Sequence, residues 1–160
     1  MPAEQGETVK NNAPKQKMDY IFAVGRRRES VARVRLYEAV KDDLVWGAVP
    51  IKKGDILVNQ KPINEYFNTE TMRHLYTEPL RVANAQNKYT FTIAVSGGGK
   101  VGQLGAAIHG IARVLSLVDS KSHHLVLKKK GFLTRDPRTR ERRMVGTGGK
   151  ARRAKQSPKR

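Results

Sequence analysis

The first half of the chain is built on alternation. YIFAVG, Tyr20–Gly25, is a short apolar run closed by glycine and predicts a strand. SVARVRLY, Ser30–Tyr37, alternates: Ala32, Val34 and Leu36 fall on one side, Val31, Arg33, Arg35 and Tyr37 on the other. Period two with β-branched residues marks a half-buried strand. GRRRE joins the two, which places Arg26, Arg27 and Arg28 at the junction of a hairpin. The mixed-charge stretch YEAVKDDLVWGAVPIKKG, with Gly47, Pro50 and Gly54, reads as a loop or a small extra hairpin. Asp55–Gln60 predicts another strand. Pro62 at a first helical position opens a short helix over INEYF. TETMRHLYTEPLRVANAQ has helical composition with an interruption at Pro79. KYTFTIAV, Lys88–Val95, is the strongest alternating stretch and predicts a strand.

The period then changes. Leu104, Ile108, Ile111, Leu115 and Val118 fall at i, i+4, i+7, i+11 and i+14, one apolar stripe along a helix. The opposite face carries Gly105, Ala106, His109, Gly110, Arg113 and Ser116. Glycine inside a helix costs about 1 kcal/mol relative to alanine. Two on one face therefore imply that something approaches the backbone closely, either a ligand or another protein element. HHLVLKKKG follows as a short strand or a helix end, and Asp136 with Pro137 reads as N-cap and first residue of a short basic helix, PRTRERR. The whole predicts an α/β fold: a single compact two-layer sandwich of a mixed sheet covered by helices, with a long basic C-terminal tail.

Charge changes the picture more than composition does. The 160 residues hold 32 basic and 14 acidic side chains, a net of +18. Residues 1–127 hold 18 basic and 12 acidic, net +6; residues 128–160 hold 14 basic and 2 acidic, net +12. Two-thirds of the charge thus lies in the last 33 residues, the distribution expected of an arm that wraps nucleic acid. The final TGGKARRAKQSPKR cannot build a core. Three regions follow: a disordered polar N-terminal extension, 1–18; a globular RNA-binding domain, 19–130; and a basic tail, 131–160. Cysteine is absent, which excludes disulfides and thiolate metal sites. No apolar run approaches the roughly 18 residues of a membrane span. MPAEQGETVKNNAPKQK lacks an apolar region, unlike a secretory signal, and its two glutamates and lack of arginine argue against a transit peptide.

Two motifs are decoys. Gly97-x-Gly99-x-x-Gly102 matches a dinucleotide fingerprint, with Asp119 twenty residues after Gly99. But that acid must end a second parallel strand, and here it directly follows the helix. A phosphate loop fails too, because Lys100 is followed by Val101. The physical capacity survives: glycines before a helix N-terminus, with Lys100 beside them, form an anion site suited to an RNA phosphate. His74 and His109 are isolated and His123–His124 are adjacent, a poor metal arrangement. No nucleophile–base or carboxylate pair stands out, so no enzyme, cofactor or small-molecule substrate is expected.

GRRRESVARVRL, LVNQKPINEYF, SGGGKVGQLGAAIHGIARVL, GFLTRDPRTRERR and the KARR…KR ending, in that order, resemble the ninth protein of the small ribosomal subunit, bacterial type, over about residues 19–160. The resemblance implies a fold like the second domain of ribosomal protein five. It also implies a cytoplasmic structural role in the head of the small subunit, with ribosomal RNA, neighbouring head proteins and peptidyl-site tRNA as partners, and no membrane. The residues expected at ribosomal RNA are Arg26, Arg27, Arg28, Arg33 and Arg35; Gly97, Gly98, Gly99, Lys100 and Gln103; His109 and Arg113; Lys128, Lys129 and Lys130; Arg135, Arg138, Arg140, Arg142 and Arg143; and Lys150, Arg152, Arg153 and Lys155. Ser157, Lys159 and Arg160 are expected at the tRNA anticodon stem-loop. The chain departs from the family in a longer segment between Leu36 and Leu57, in Ile108 where the family carries arginine, and in SPKR at the end. The rival readings are a small-molecule kinase, a nucleic-acid-compacting protein outside the ribosome, and a membrane-binding basic tail, which lacks the apolar face such helices insert.

Overall fold

In the computed structural model, residues 20–39, 45–47 and 49–146 are described. β1 (Ile21–Arg27) and β2 (Ser30–Tyr37) form the expected hairpin, from Ile21 opposite Leu36 to Arg27 opposite Ser30. The strands run further than the sequence suggests: Arg26 and Arg27 belong to β1, and only Arg28 and Glu29 make the turn. Arg28 takes a left-handed φ of 51° there. The stretch after β2 contains a small ribbon, β3 (Val45–Trp46) with β4 (Val49–Pro50).

β5 (Ile56–Val58) turns through Asn59 and Gln60, both at positive φ, into the two-residue β6 (Lys61–Pro62). Positive φ at both central residues is what a tight hairpin of this hand requires. Asn59 also extends the sheet with its side chain. Its Nδ2 donates to Val95 O (3.0 Å) and its Oδ1 accepts from Val95 N (2.8 Å), as a further strand residue would. Helix α1 (Ile63–Tyr66) follows, with Pro62 at its N-cap instead of its first turn. Helix α2 (Glu70–Val82) passes through Pro79 without a break, against expectation. β7 (Thr90–Ser96) then enters the sheet between β2 and β5, giving the order β1-β2-β7-β5-β6. β7 is antiparallel to β2 and parallel to β5, so the sheet is mixed. As an inner strand it is buried on both faces from Thr90 to Ile93, and its alternation understates its burial.

Helix α3 (Lys100–Val118) packs on β1 and β2, with α2 and with α4 (His123–Lys129) beside it. Ala23, Ala32, Val34, Leu36, Phe91 and Ile93 meet Leu104, Ala107, Ile111, Val114 and Leu115 in one core, which Tyr76, Leu80 and Leu127 close. The apolar stripe is only part of the buried face of α3. Ala106 and Gly110 are buried as well, whereas Ile108 is only half-buried, because the Ala106–Gly110 side of the helix lies close against β1. The reason is Gly25. A Cβ there would lie 1.9 Å from Ala106 O and 2.4 Å from Gly110 N; one on Gly110 would lie 2.5 Å from Val34 Cγ2. The element that approaches the helix backbone is therefore β1. α3 is also long and apolar enough to cross a membrane, contrary to the reading of the sequence, but its apolar side is spent on the sheet.

α4 ends in a Schellman motif: Phe132 N donates to Leu127 O (3.1 Å) and Gly131 N to Lys128 O (3.0 Å), with Gly131 at φ 77°. Phe132 and Leu133 then pack on the core. The basic helix expected at PRTRERR does not form; residues 135–144 are irregular. Asp136 accepts from Arg138 N as a cap would, but no helix follows, and its carboxylate is shared with the arginines described below. The N-terminal extension and residues 147–160 lie outside the described residues.

Candidate nucleic-acid interface

All the packed helices lie on the Ala32–Val34–Leu36 side of the sheet. The register puts Phe22 opposite Arg35, Val24 opposite Arg33, and Arg26 opposite Val31 on the other side, with Ala94 and Ser96 of β7 beyond them. Arg26, Arg33 and Arg35 are exposed there, as the alternation of β2 requires for the last two. The Arg35 guanidinium lies 4.9 Å from the centre of the Tyr20 ring, which tilts against Tyr37. A cation over a ring is held by the ring's negative face, so Arg35 lies along the sheet.

A second group gathers at the hairpin end of the sheet, where the β1–β2 turn meets the loop after β7. Gly97 and Gly98 have left-handed φ values of 73° and 61°. A Cβ on either would strike Glu29 O or Ser30 Oγ, at 2.4 and 2.2 Å. These two glycines are therefore demanded by packing against the turn, and only Gly99 has open space around it. Gly97 O accepts from Ser30 Oγ and from Gln103 Nε2, each at 3.1 Å, and Gln103 Oε1 accepts from Tyr66 O–H (2.8 Å). Both ends of the Gln103 amide are thus engaged in bracing the loop. Lys100 turns from the glycines toward Tyr66, its Nζ 3.5 Å from the ring centre and 3.4 Å from Tyr66 O.

The root of the C-terminal arm joins this group. Asp136 pairs with Arg27 of β1 and takes Arg138 bidentately, at 3.0 Å from Nε and 2.6 Å from Nη2. It also accepts from Arg138 N (2.9 Å). One carboxylate thus ties the arm to the hairpin and offsets two of the arginines expected to meet phosphate. Nothing in the sequence marked this role, because an aspartate before proline reads first as a helix cap.

His109 and Arg113 reach the edge of the sheet. β1 is an edge strand, with outward backbone groups that would otherwise invite another strand. Arg113 Nη1 donates to Val24 O (2.5 Å), and Arg26 N donates to His109 Nδ1 (3.4 Å). Two α3 side chains, one turn apart, close that edge. Burial first, then the Arg113 and Arg135 charges, push the His109 pKa down; a hydrogen bond to the Leu133 backbone opposes them. The ring is held neutral, the form able to accept at Nδ1. Asp119, the acid of the false fingerprint, accepts from Lys121 N and Ser122 N and starts the turn into α4. Hydrogen bonding by Ser122 holds its pKa below the usual carboxylate range.

Lys128, Lys129 and Lys130 are exposed at the end of α4, where cations also suit the helix dipole. Arg135, Arg138, Arg140, Arg142 and Arg143 are exposed along the arm root. Lys150, Arg152, Arg153, Lys155, Ser157, Lys159 and Arg160 lie outside the described residues. The family described as ribosomal protein S9/S16 matches the chain over residues 25–160, from the middle of β1 to the last residue.

Proposed function

From a chain that belongs to the ribosomal protein S9/S16 family, and is thereby a structural, non-enzymatic component of the small ribosomal subunit, we propose attachment to ribosomal RNA in two parts. The body docks through Arg26, Arg28, Arg33 and Arg35, with the Gly99 backbone and the α4 lysines as further phosphate contacts. The arm then follows RNA from its root at Asp136 through Lys155, and its tip, Ser157, Lys159 and Arg160, reaches the backbone of peptidyl-site tRNA in the subunit head. Arginine suits both parts, since its planar fork binds phosphate bidentately and stacks on bases. A tip that offers charge without reading sequence also suits a site through which every tRNA passes.

The supporting observation is the Asp136 clamp: residues 137–160, with ten basic side chains and one acidic, leave it at the end of the sheet where Arg28 and the glycine loop lie. The root of the arm therefore lies beside Arg28 and the glycine loop. Filter binding to small-subunit ribosomal RNA across a salt series tests the attachment. Affinity is expected to fall linearly on a log–log plot, by about 0.7 per single-strand phosphate contacted; a flat response refutes it. Deleting Ser157–Arg160 is expected to leave subunit assembly intact and to weaken peptidyl-site tRNA binding. Equal tRNA retention by truncated and intact subunits over a magnesium series would refute the tip assignment.

A further inference from the structure

The helix-free side of the sheet has a composition that phosphate binding alone does not call for. On β1 and β2 it presents Phe22, Arg26, Arg33 and Arg35 over a floor of Val24 and Val31, with Tyr20 just before β1 beside Arg35, and no strand position on it is acidic. Phe22 is 47% exposed and Tyr20 37%. A large aromatic ring left in water on a strand, flanked by arginines, lacks the burial that would explain it. Phe22 sits directly across from Arg35, whose guanidinium is already laid over Tyr20. The side chains that would flank a planar ligand are therefore in place before it arrives.

The geometry points to this face as a stacking platform for unpaired nucleotides of RNA, with Phe22 and Tyr20 taking bases and Arg26 and Arg33 the phosphates between them. Charge complementarity selects a polyanion over a protein partner, because three arginines face outward with no acid among them. The rings select single-stranded over duplex RNA, since a paired base has no free face and the A-form major groove is too narrow for side chains. The inference rests on the attachment proposed above and adds which RNA conformation the body takes.

The test uses the full chain carrying Trp46→Phe, so that Phe22→Trp provides its one indole. Short oligouridine is expected to quench that indole, while inorganic polyphosphate, which meets the same arginines without bases, leaves it unchanged. In otherwise native protein, Phe22→Ala and Phe22→Leu are each expected to weaken oligouridine binding about tenfold with the salt slope unchanged. Arg33→Gln with Arg35→Gln instead lowers the slope by about 0.7 for each phosphate no longer neutralised. Phe22 is exposed, so these variants keep the native circular dichroism. An indole that ignores oligouridine, or responds equally to polyphosphate, overturns stacking, as does wild-type affinity in Phe22→Leu. In those cases salt-dependent binding of ribosomal RNA by the native chain would persist; its absence would instead sink the attachment itself.

Discussion

Gly25 and Gly110 let a strand and a helix touch backbone to backbone, and at that contact single atoms decide stability. The two positions differ in what an added methyl would meet. At Gly25 it meets Ala106 O and Gly110 N, backbone atoms that cannot turn aside; at Gly110 its nearest neighbour is the tip of Val34. Gly25→Ala is expected to cost about 3 kcal/mol, the upper end of overpacking, and Val34→Ala should not restore it. Gly110→Ala should be substantially rescued by Val34→Ala, helped by about 1 kcal/mol of helix propensity. Urea unfolding of the four variants checks the contrast; equal rescue in both pairs would mean that the helix simply lifts off the sheet. That a glycine lay on this helix face was legible in the sequence. That its partner was Gly25, eighty-five residues earlier, was not, since the pairing depends on the crossing of α3 over β1.

Among the elements, β1 shows how an edge is closed by side chains from another layer. His109 accepts from Arg26 N only while its Nδ1 is unprotonated, and Arg113 and Arg135 are the cations that act on it. Its folded pKa is depressed, so between that value and about 6.5 the unfolded chain binds the extra proton. The contribution is fully present above pH 6.5 and is lost as pH falls toward the folded pKa. His109→Asn should therefore flatten the fall in stability between about pH 6.5 and 5 relative to the native chain. Thermal melts over that range check it; parallel pH profiles would remove His109 as the cause. The family resemblance puts His109 and Arg113 at RNA, and nothing in the sequence pairs them with β1. Their edge-capping task belongs to the packing of one element on another.

At the scale of the molecule, charge is divided evenly: residues 1–130 hold 21 basic and 12 acidic side chains, net +9, and residues 131–160 hold 11 and 2, net +9 again. Residues 147–160 hold six basic and no acidic side chains, so truncation after Gly146 lowers the net charge from +18 to +12. That stretch has no valine, leucine, isoleucine, methionine or aromatic residue to contribute to a core. Truncation is therefore expected to leave the melting temperature of the body equal or slightly higher, through less self-repulsion, while lowering the salt slope of ribosomal RNA binding. A large fall in melting temperature would show that the arm supports the body, contrary to this division. Asp136 keeps the two parts in register in the meantime by joining Arg27 to Arg138.

The alternation of β2, the helical period of α3 and the drift of charge toward the C-terminus are local, so the order of residues alone determined them: which strand faces water, which helix carries the core, where positive charge gathers. Burial of Thr90 and Thr92 in β7, passage of α2 through Pro79, bracing of the glycine loop by Gln103 and the Asp136 clamp were decided only by the tertiary structure. Each depends on a partner far away in the chain or on an element packed alongside, and a neighbour of that kind leaves no periodic trace in the sequence.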